Sequence, residues 1–199
     1  MRPTLRFLSD ELIDRILDEA REVLLELGVV VRNEAVLSLL GDHGARIDRA
    51  SERARIPGDL VDRSLASSKR SFQLFDSIGR ETHDFAGEAV HFTPGSAALH
   101  ILDAETGRIR KPLTRDYVRY AKLMTRLPHI ASQSTAFIPA DVPEAVSDSY
   151  RLFLSLLYCE KPVVTGTFRA ESFAVMRDMQ LAVRGSGRAL EEKPLTVFS

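Results

Sequence analysis

Three stretches decide the fold class: HIASQSTAF (129–137), PVVTGTF (162–168) and PLTVFS (194–199). Each is a short run rich in β-branched or aromatic residues, and turn-forming residues lie beside each, the pattern of a strand. Between them, Glu144 to Cys159 and Glu171 to Arg184 read as helices. The strands recur about every 33 residues with one helix between each pair, the spacing of βαβ units in a parallel sheet. A further helix runs from Thr114, which caps it with Asp116 in the first turn, to about Leu127. Parallel strands need cover on both faces, and three of them cannot close a barrel of eight. The last stretch has no helix after it. The expectation is an α/β chain, the first units of a (β/α)8 barrel over 113–199, ending after a third strand.

Upstream the texture changes. From Ser71 to Lys111, alternating Phe72 and Leu74, then Val90 and Phe92, are punctuated by Gly79, Gly87, Pro94 and Gly95, a run of short strands and tight turns. Further back, Ser9 followed by Asp10 and Glu11 starts a long amphipathic helix with apolar residues at spacings of three and four through Leu27, closed by Gly28 as a left-handed cap. Val29 to Val31 is a short β run, Asn33 caps a second helix, Ala45 to Ile56 reads as an exposed hairpin, and Pro57 opens a third helix. Residues 1–112 are therefore expected to form an α+β extension before the barrel.

Composition narrows the function. The net charge is −1 and no basic stretch stands out, against general nucleic-acid binding. No run of about 18 apolar residues is present, so no membrane span is expected, and a cytoplasmic protein fits. The single cysteine, Cys159, has no internal disulfide partner and lies in an apolar helix, where it reads as a small buried hydrophobe. The five histidines show no metal-ligand spacing, and no metal site is expected. There is no Gly-rich phosphate loop and no nucleophile elbow.

Candidate site residues cluster at strand ends. Gln133, Ser134 and Thr135 make the end of one strand polar, and Thr165 and Thr167 do the same for the next, against the apolar habit of buried parallel strands. Phe137, Asp141 and Phe168 lie in the loops that follow, where barrel chemistry sits. Asp141, held between Pro139 and Pro143, could bind a cation, orient a neighbour, or cap a helix. The segment from Val90 to Ser96 is either a strand ending in a Pro-Gly turn or a loop whose Gly95 lets backbone approach a ligand, and Arg108, Arg110 and Lys111 form either an anion site or a solvated edge.

Several motifs, in order, resemble one family. They are Leu27-Gly28-Val29 at the end of the first helix, Phe92-Thr93-Pro94-Gly95, and the run Asp103, Thr106, Gly107, Arg110, Asp116. Asp141-Val142-Pro143, Lys161-Pro162 and Val197-Phe198-Ser199 follow. Together they resemble the trimethylamine methyltransferase family. The resemblance implies a (β/α) barrel with a large N-terminal extension, and transfer of a methyl group from a methylated amine to the cobalt of a separate corrinoid protein. It implies a small methylated amine as substrate, either trimethylamine or a quaternary amine such as glycine betaine. The corrinoid would be supplied by the partner, with no cofactor bound directly to this chain, and a homo-oligomer is possible. Some family members carry pyrrolysine in the later half of the barrel, beyond this chain. A quaternary ammonium has no proton to donate, so its site needs aromatic faces or a carboxylate. Phe137, Phe168 and Asp141 suit the cation, and Gln133 with the Ser and Thr pairs suits a carboxylate or hydroxyl on the substrate. No residue is singled out as catalytic. The competing expectation is a non-catalytic interaction module or inactive fragment.

Overall fold

The computed structural model describes residues 6–198 and divides into two compact units, 1–69 and 70–199. In the first unit, α1 (Asp10–Glu22) starts where Ser9 Oγ accepts the Leu12 N–H at 3.2 Å. The helix widens into a π-helical turn, Val23–Leu27, and Gly28 closes it at φ 68° and ψ −167°, a positive φ as expected but with an extended ψ in place of the left-handed helical one. Only glycine fits there, because a Cβ would lie 2.2 Å from the Ala54 carbonyl oxygen. The strands β1 (Val29–Val30), β2 (Arg46–Asp48) and β3 (Arg53–Arg55) pair antiparallel in the order β1-β3-β2, so the expected hairpin at 45–56 is present. Its Ala54 is fully buried. Asn33 caps α2 (Glu34–Asp42), and Pro57 precedes α3 (Gly58–Ser67).

The second unit contains the parallel sheet. A hairpin of β4 (Phe72–Phe75) and β5 (Glu81–Phe85) comes first, then a smaller one of β6 (Ile101–Leu102) and β7 (Ile109–Arg110). After α4 (Thr114–Thr125) the chain alternates: β8 (Gln133–Ser134), α5 (Glu144–Tyr158), β9 (Val163–Thr165), α6 (Ser172–Arg184), α7 (Gly187–Glu192) and β10 (Thr196–Phe198). The three strands are parallel in the order β10-β9-β8, as their spacing predicts. The short helix α7 is an addition to that expectation. Ser186 starts it, its Oγ accepting the Ala189 N–H at 3.1 Å.

The outer edge of β8 is covered by residues 92–98. Ala131 donates its N–H to the Phe92 carbonyl at 3.0 Å, Ala97 to Thr135 at 3.1 Å, Ala98 to Ala136 at 2.8 Å and Ile138 to Ala98 at 3.1 Å. Ala98 and Phe137 form a parallel bridge. The Phe-Thr-Pro-Gly segment is thus an irregular fourth member of the sheet, with Pro94 unable to donate a ladder bond.

Register assigns the two faces. Val163 packs with Leu152 of α5 and Met176 of α6, so its side of the sheet faces the helices. Gln133 pairs with Val163 and Phe198 with Thr165, so Gln133, Thr165 and Phe198 share that face. Ser134, Val164 and Val197 lie on the opposite one, because side chains alternate along a strand. The β4–β5 hairpin closes the start of the strands. Phe75 donates its N–H to the Pro194 carbonyl at 2.9 Å and Ser77 to that of Glu160 at 2.8 Å. The Arg184 guanidinium ties the hairpin to the chain just before β10, donating to Ser77 O and Phe75 O at 3.1 Å each and to Lys193 O at 2.7 Å.

Candidate functional site

The loops at the carboxyl ends of the parallel segments enclose a cleft of about 630 Å³. Its walls come from Leu99 and His100 after the 92–98 segment, Lys111 after β7, Ile138 to Ala140 after β8, the first turn of α5, and Phe168 with Arg169 after β9. In a parallel α/β sheet this is the end where ligands bind. A second hollow of about 700 Å³ lies between the β6–β7 hairpin and α4, lined among others by Arg115, Arg119 and Phe137.

Two ionic devices stand beside these hollows, the first lining the second hollow and the other the cleft. In the first, Arg110 on β7 donates Nε to Asp103 at 2.7 Å and both Nη atoms to the Asp116 carboxylate at 2.7 and 2.9 Å. Asp116 also accepts the Leu113 N–H at 2.8 Å. The Arg110 hydrogen bond, then those from Thr106, hold the Asp103 carboxyl far below the usual carboxylate range. The hairpin is thereby fixed to the start of α4, and Lys111 follows directly.

The second device is buried. Asp148 and Arg151 of α5 are 2% exposed each and bonded at 2.7 Å. The other Asp148 oxygen accepts Thr167 Oγ1 at 2.8 Å, the Phe168 N–H at 2.7 Å and the Arg169 N–H at 3.3 Å. Arg151 donates Nη1 to the Thr135 carbonyl at 3.2 Å and Nε to that of Ser147 at 3.3 Å, and its guanidinium lies 5.3 Å from the centre of the Phe168 ring. One ion pair therefore joins the end of β8 to the loop after β9. Burial works to raise the Asp148 carboxyl, but the Thr167 and Arg151 hydrogen bonds and the Phe168 N–H outweigh it, and it lies below its ordinary value.

The family profile described as trimethylamine methyltransferase matches residues 1–198. The chain belongs to that family. It is similar to the trimethylamine methyltransferase MttB of Desulfitobacterium hafniense strain DSM 10664 / DCB-2, 24% identical over 94% of this chain and 38% of that protein. It is similar also to the glycine betaine methyltransferase of D. hafniense strain Y51, 23% identical over 98% of this chain and 40% of that protein. The chain thus spans about 40% of the length of these relatives.

In this trimethylamine methyltransferase family chain, the eight residues singled out from the sequence do not converge on one spot. Phe168 alone among them lines the cleft, with 70% of its surface exposed. Gln133 is fully buried on the helix side, and its Nε2 lies 3.1 to 3.2 Å from the carbonyls of Ser155, Cys159 and Lys161 at the end of α5. Thr135 and Thr165 share a hydroxyl–hydroxyl bond of 3.0 Å between neighbouring strands. Ser134 Oγ donates to the Gly95 carbonyl at 2.6 Å, tying down the covering segment, and meets the Tyr120 hydroxyl at 3.2 Å. Phe137 sits edge-on to Tyr117 and Tyr120. Thr167 serves Asp148. Asp141 caps a helix, but the preceding one: its Oδ1 accepts the Thr114 N–H at 2.9 Å and Thr114 Oγ1 at 3.2 Å. That corrects the expectation that Thr114 itself caps α4, because its hydroxyl is used as a donor to Asp141.

The residues that sequence reading missed are on α5, which looks apolar nearly all round. It is not. Ser147, Asp148, Arg151 and Ser155 form a buried polar stripe, while Phe153 and Leu157 stand 44% and 57% exposed. The available signal was their spacing of three and four, which places them on one helical face. Among the described residues no three His, Cys, Asp or Glu side chains converge as a metal site. His83 and His91 meet at 4.6 Å between ring centres, near the β4–β5 hairpin, and burial first, then the His91 charge, push His83 down to about 4.

Proposed function

We propose that the complete protein containing this chain transfers a methyl group from a methylated amine to a corrinoid protein. The observation that carries the reading is the family match across residues 1–198, joined to two relatives named as methyltransferases of methylated amines. In this reading the unit from residue 70 onward belongs to a (β/α) barrel, with the 92–98 segment as its first strand and β8, β9 and β10 as the next three. The protein works in the cytoplasm. No helix among the described residues is long and apolar enough to cross a membrane.

The corrinoid belongs to the partner and supplies cobalt(I) as the methyl acceptor. This chain's residues bind and orient the amine. Phe168 is the aromatic ring available in the cleft, one side facing Arg151, and an exposed ring face attracts a methylated ammonium by about 0.5–2 kcal/mol. Asp148 and Arg151 hold that ring in place, so the contribution of this chain is positioning and electrostatics.

The test is reconstitution. The complete gene product is mixed with trimethylamine or glycine betaine and a reduced corrinoid protein, and methylated corrinoid is followed by absorbance. The reading expects signal only with all three components. Methyl transfer to a thiol or a folate in the absence of corrinoid would overturn it.

A further inference from the structure

We propose that the exposed face of α1 and the π-helical turn after it is a dimer contact, covered by the same segment of a second copy of this chain running antiparallel. The contact lies wholly within the first unit and is independent of the function proposed above.

The segment carries apolar residues on two sides. On one, Ile13 and Leu24 are half-buried, the Leu24 carbonyl accepts the Ile56 N–H at 2.8 Å, and Arg21 donates to Asp62 of α3 at 2.7 Å. That side is turned to its own unit. On the other, Leu12, Ile16, Val23 and Leu27 are between 36% and 61% exposed, and no residue of α1 is buried. A helix of this length is marginal alone in water and is stabilised chiefly by burying its apolar stripe. A stripe left open marks a contact.

The spacing of the stripe selects a second copy. Leu12, Ile16, Val23 and Leu27 are separated by four, seven and four positions, an order that reads the same in both directions. Laid antiparallel about a twofold axis between positions 19 and 20, Leu12 meets Leu27 of the copy and Ile16 meets its Val23, and both ends match alike. Ala20 stands at the crossing, where a short side chain lets the helices approach. Charge agrees with this direction. Arg15, Glu19, Glu22 and Glu26 flank the stripe on one side, and an antiparallel pair runs that side along its own copy. Arg15 then comes level with position 24 of the copy, between Glu22 and Glu26, whose carboxylates have no partner among the described residues. Glu19 meets its copy near the axis, each beside its own Arg15 at 3.3 Å. Parallel pairing would instead set the charged side against Ile13, Leu17 and Leu24 of the copy. The stripe is about 22 Å long at 1.5 Å per residue. One helix pair of that length buries less than a standard interface, so the contact belongs to the weaker, reversible class.

Cysteine cross-linking of the complete gene product tests the geometry, with the unsubstituted protein as background. The one cysteine of this chain, Cys159, is buried. Ala20→Cys should give a disulfide-linked dimer on mild oxidation, and Asp18→Cys, on the far side of the helix, should not. Leu12→Cys and Leu27→Cys should cross-link when mixed, and neither with itself. Sedimentation velocity tests the energetics. Ile16→Glu places a charge in the stripe and should weaken association by at least about tenfold, with an unchanged thermal melt because Ile16 is exposed. Arg15→Glu, and the double change Glu22→Arg with Glu26→Arg, should each weaken association by about tenfold, and mixing the two proteins should restore it, since each supplies the charge the other lacks. The contact is overturned by Ala20→Cys linking no better than Asp18→Cys, by Leu12→Cys linking to itself as well as to Leu27→Cys, or by a charge-swapped mixture no tighter than its components. A protein that stays monomeric, its α1 stripe covered by its own chain, overturns it equally.

Discussion

Replacing Asp148 by alanine tests the buried pair that joins two strand ends. The change removes the acceptor of four hydrogen bonds, from Arg151, Thr167 Oγ1, Phe168 N and Arg169 N. It also leaves the Arg151 guanidinium, 2% exposed, without its counter-charge. Breaking a buried pair by removing one partner costs about 3–5 kcal/mol, most of it the stranded charge. Asp148→Ala is therefore expected to lower unfolding free energy by about 3–5 kcal/mol, measured by urea denaturation with circular dichroism. Arg151→Met strands the carboxylate instead, but that carboxylate keeps three donors and should suffer less, about 2–3 kcal/mol. The double variant has no stranded charge. Its loss should fall short of the sum of the singles by at least about 1 kcal/mol, the signature of coupled neighbours. Additive losses, or a cost under about 1 kcal/mol for Asp148→Ala, would refute the pair as the brace of this end of the sheet.

Other outcomes follow from the same geometry. His83 is held near 4 against an ordinary 6.5, so the unfolded chain binds the extra proton between those values. Stability is full above pH 6.5 and falls by about 3 kcal/mol as pH drops to 4, at about 1.4 kcal/mol per pH unit; His83→Asn should flatten that slope, and urea midpoints that fall equally in both proteins would count against it. Gly28→Ala should cost about 2 kcal/mol or more by thermal melting, because it forces a positive φ and a Cβ at 2.2 Å from Ala54 O; a neutral result would show that β3 moves aside. Gln133→Leu should cost about 1–3 kcal/mol, by taking the Nε2 donor from the carbonyls of Cys159 and Lys161, and faster amide exchange at 155–161 is the confirming reading.

The parallel architecture was legible because βαβ periodicity depends only on local pattern: the stretches at 133, 163 and 196 and the helices between them stand where spacing places them. The role of 92–98 was not legible. Proline, glycine and small residues give that segment a turn's composition, and its place in the sheet is fixed by carbonyls and N–H groups that every residue carries. The polar strand residues misled for a related reason. Polarity at a buried position does not say what it bonds to, and the partners of Gln133 Nε2 and Thr135 Oγ1 belong to the protein itself. Asp148 and Arg151 failed in the opposite way: a charged pair three apart on a helix has the same spelling whether it lies in solvent or under a loop.

The closure of the sheet by the β4–β5 hairpin has a consequence for the order in which the chain becomes stable. Arg184 and Ser77, which it joins, are 107 positions apart. On a ribosome the hairpin emerges long before β10, and the carbonyls that receive its N–H groups, those of Glu160 and Pro194, do not yet exist. Until then it is held by local contacts, the Phe72–Phe85 stack and the pairing of its own strands. A two-stranded ribbon alone is marginal in water. Long-range closure of this kind slows folding, because loop entropy is lost before the contacts that compensate it are made. The hairpin therefore acts as a late latch, and the strands it closes spend synthesis with their first residues open to solvent and to any protein that binds unpaired strand ends.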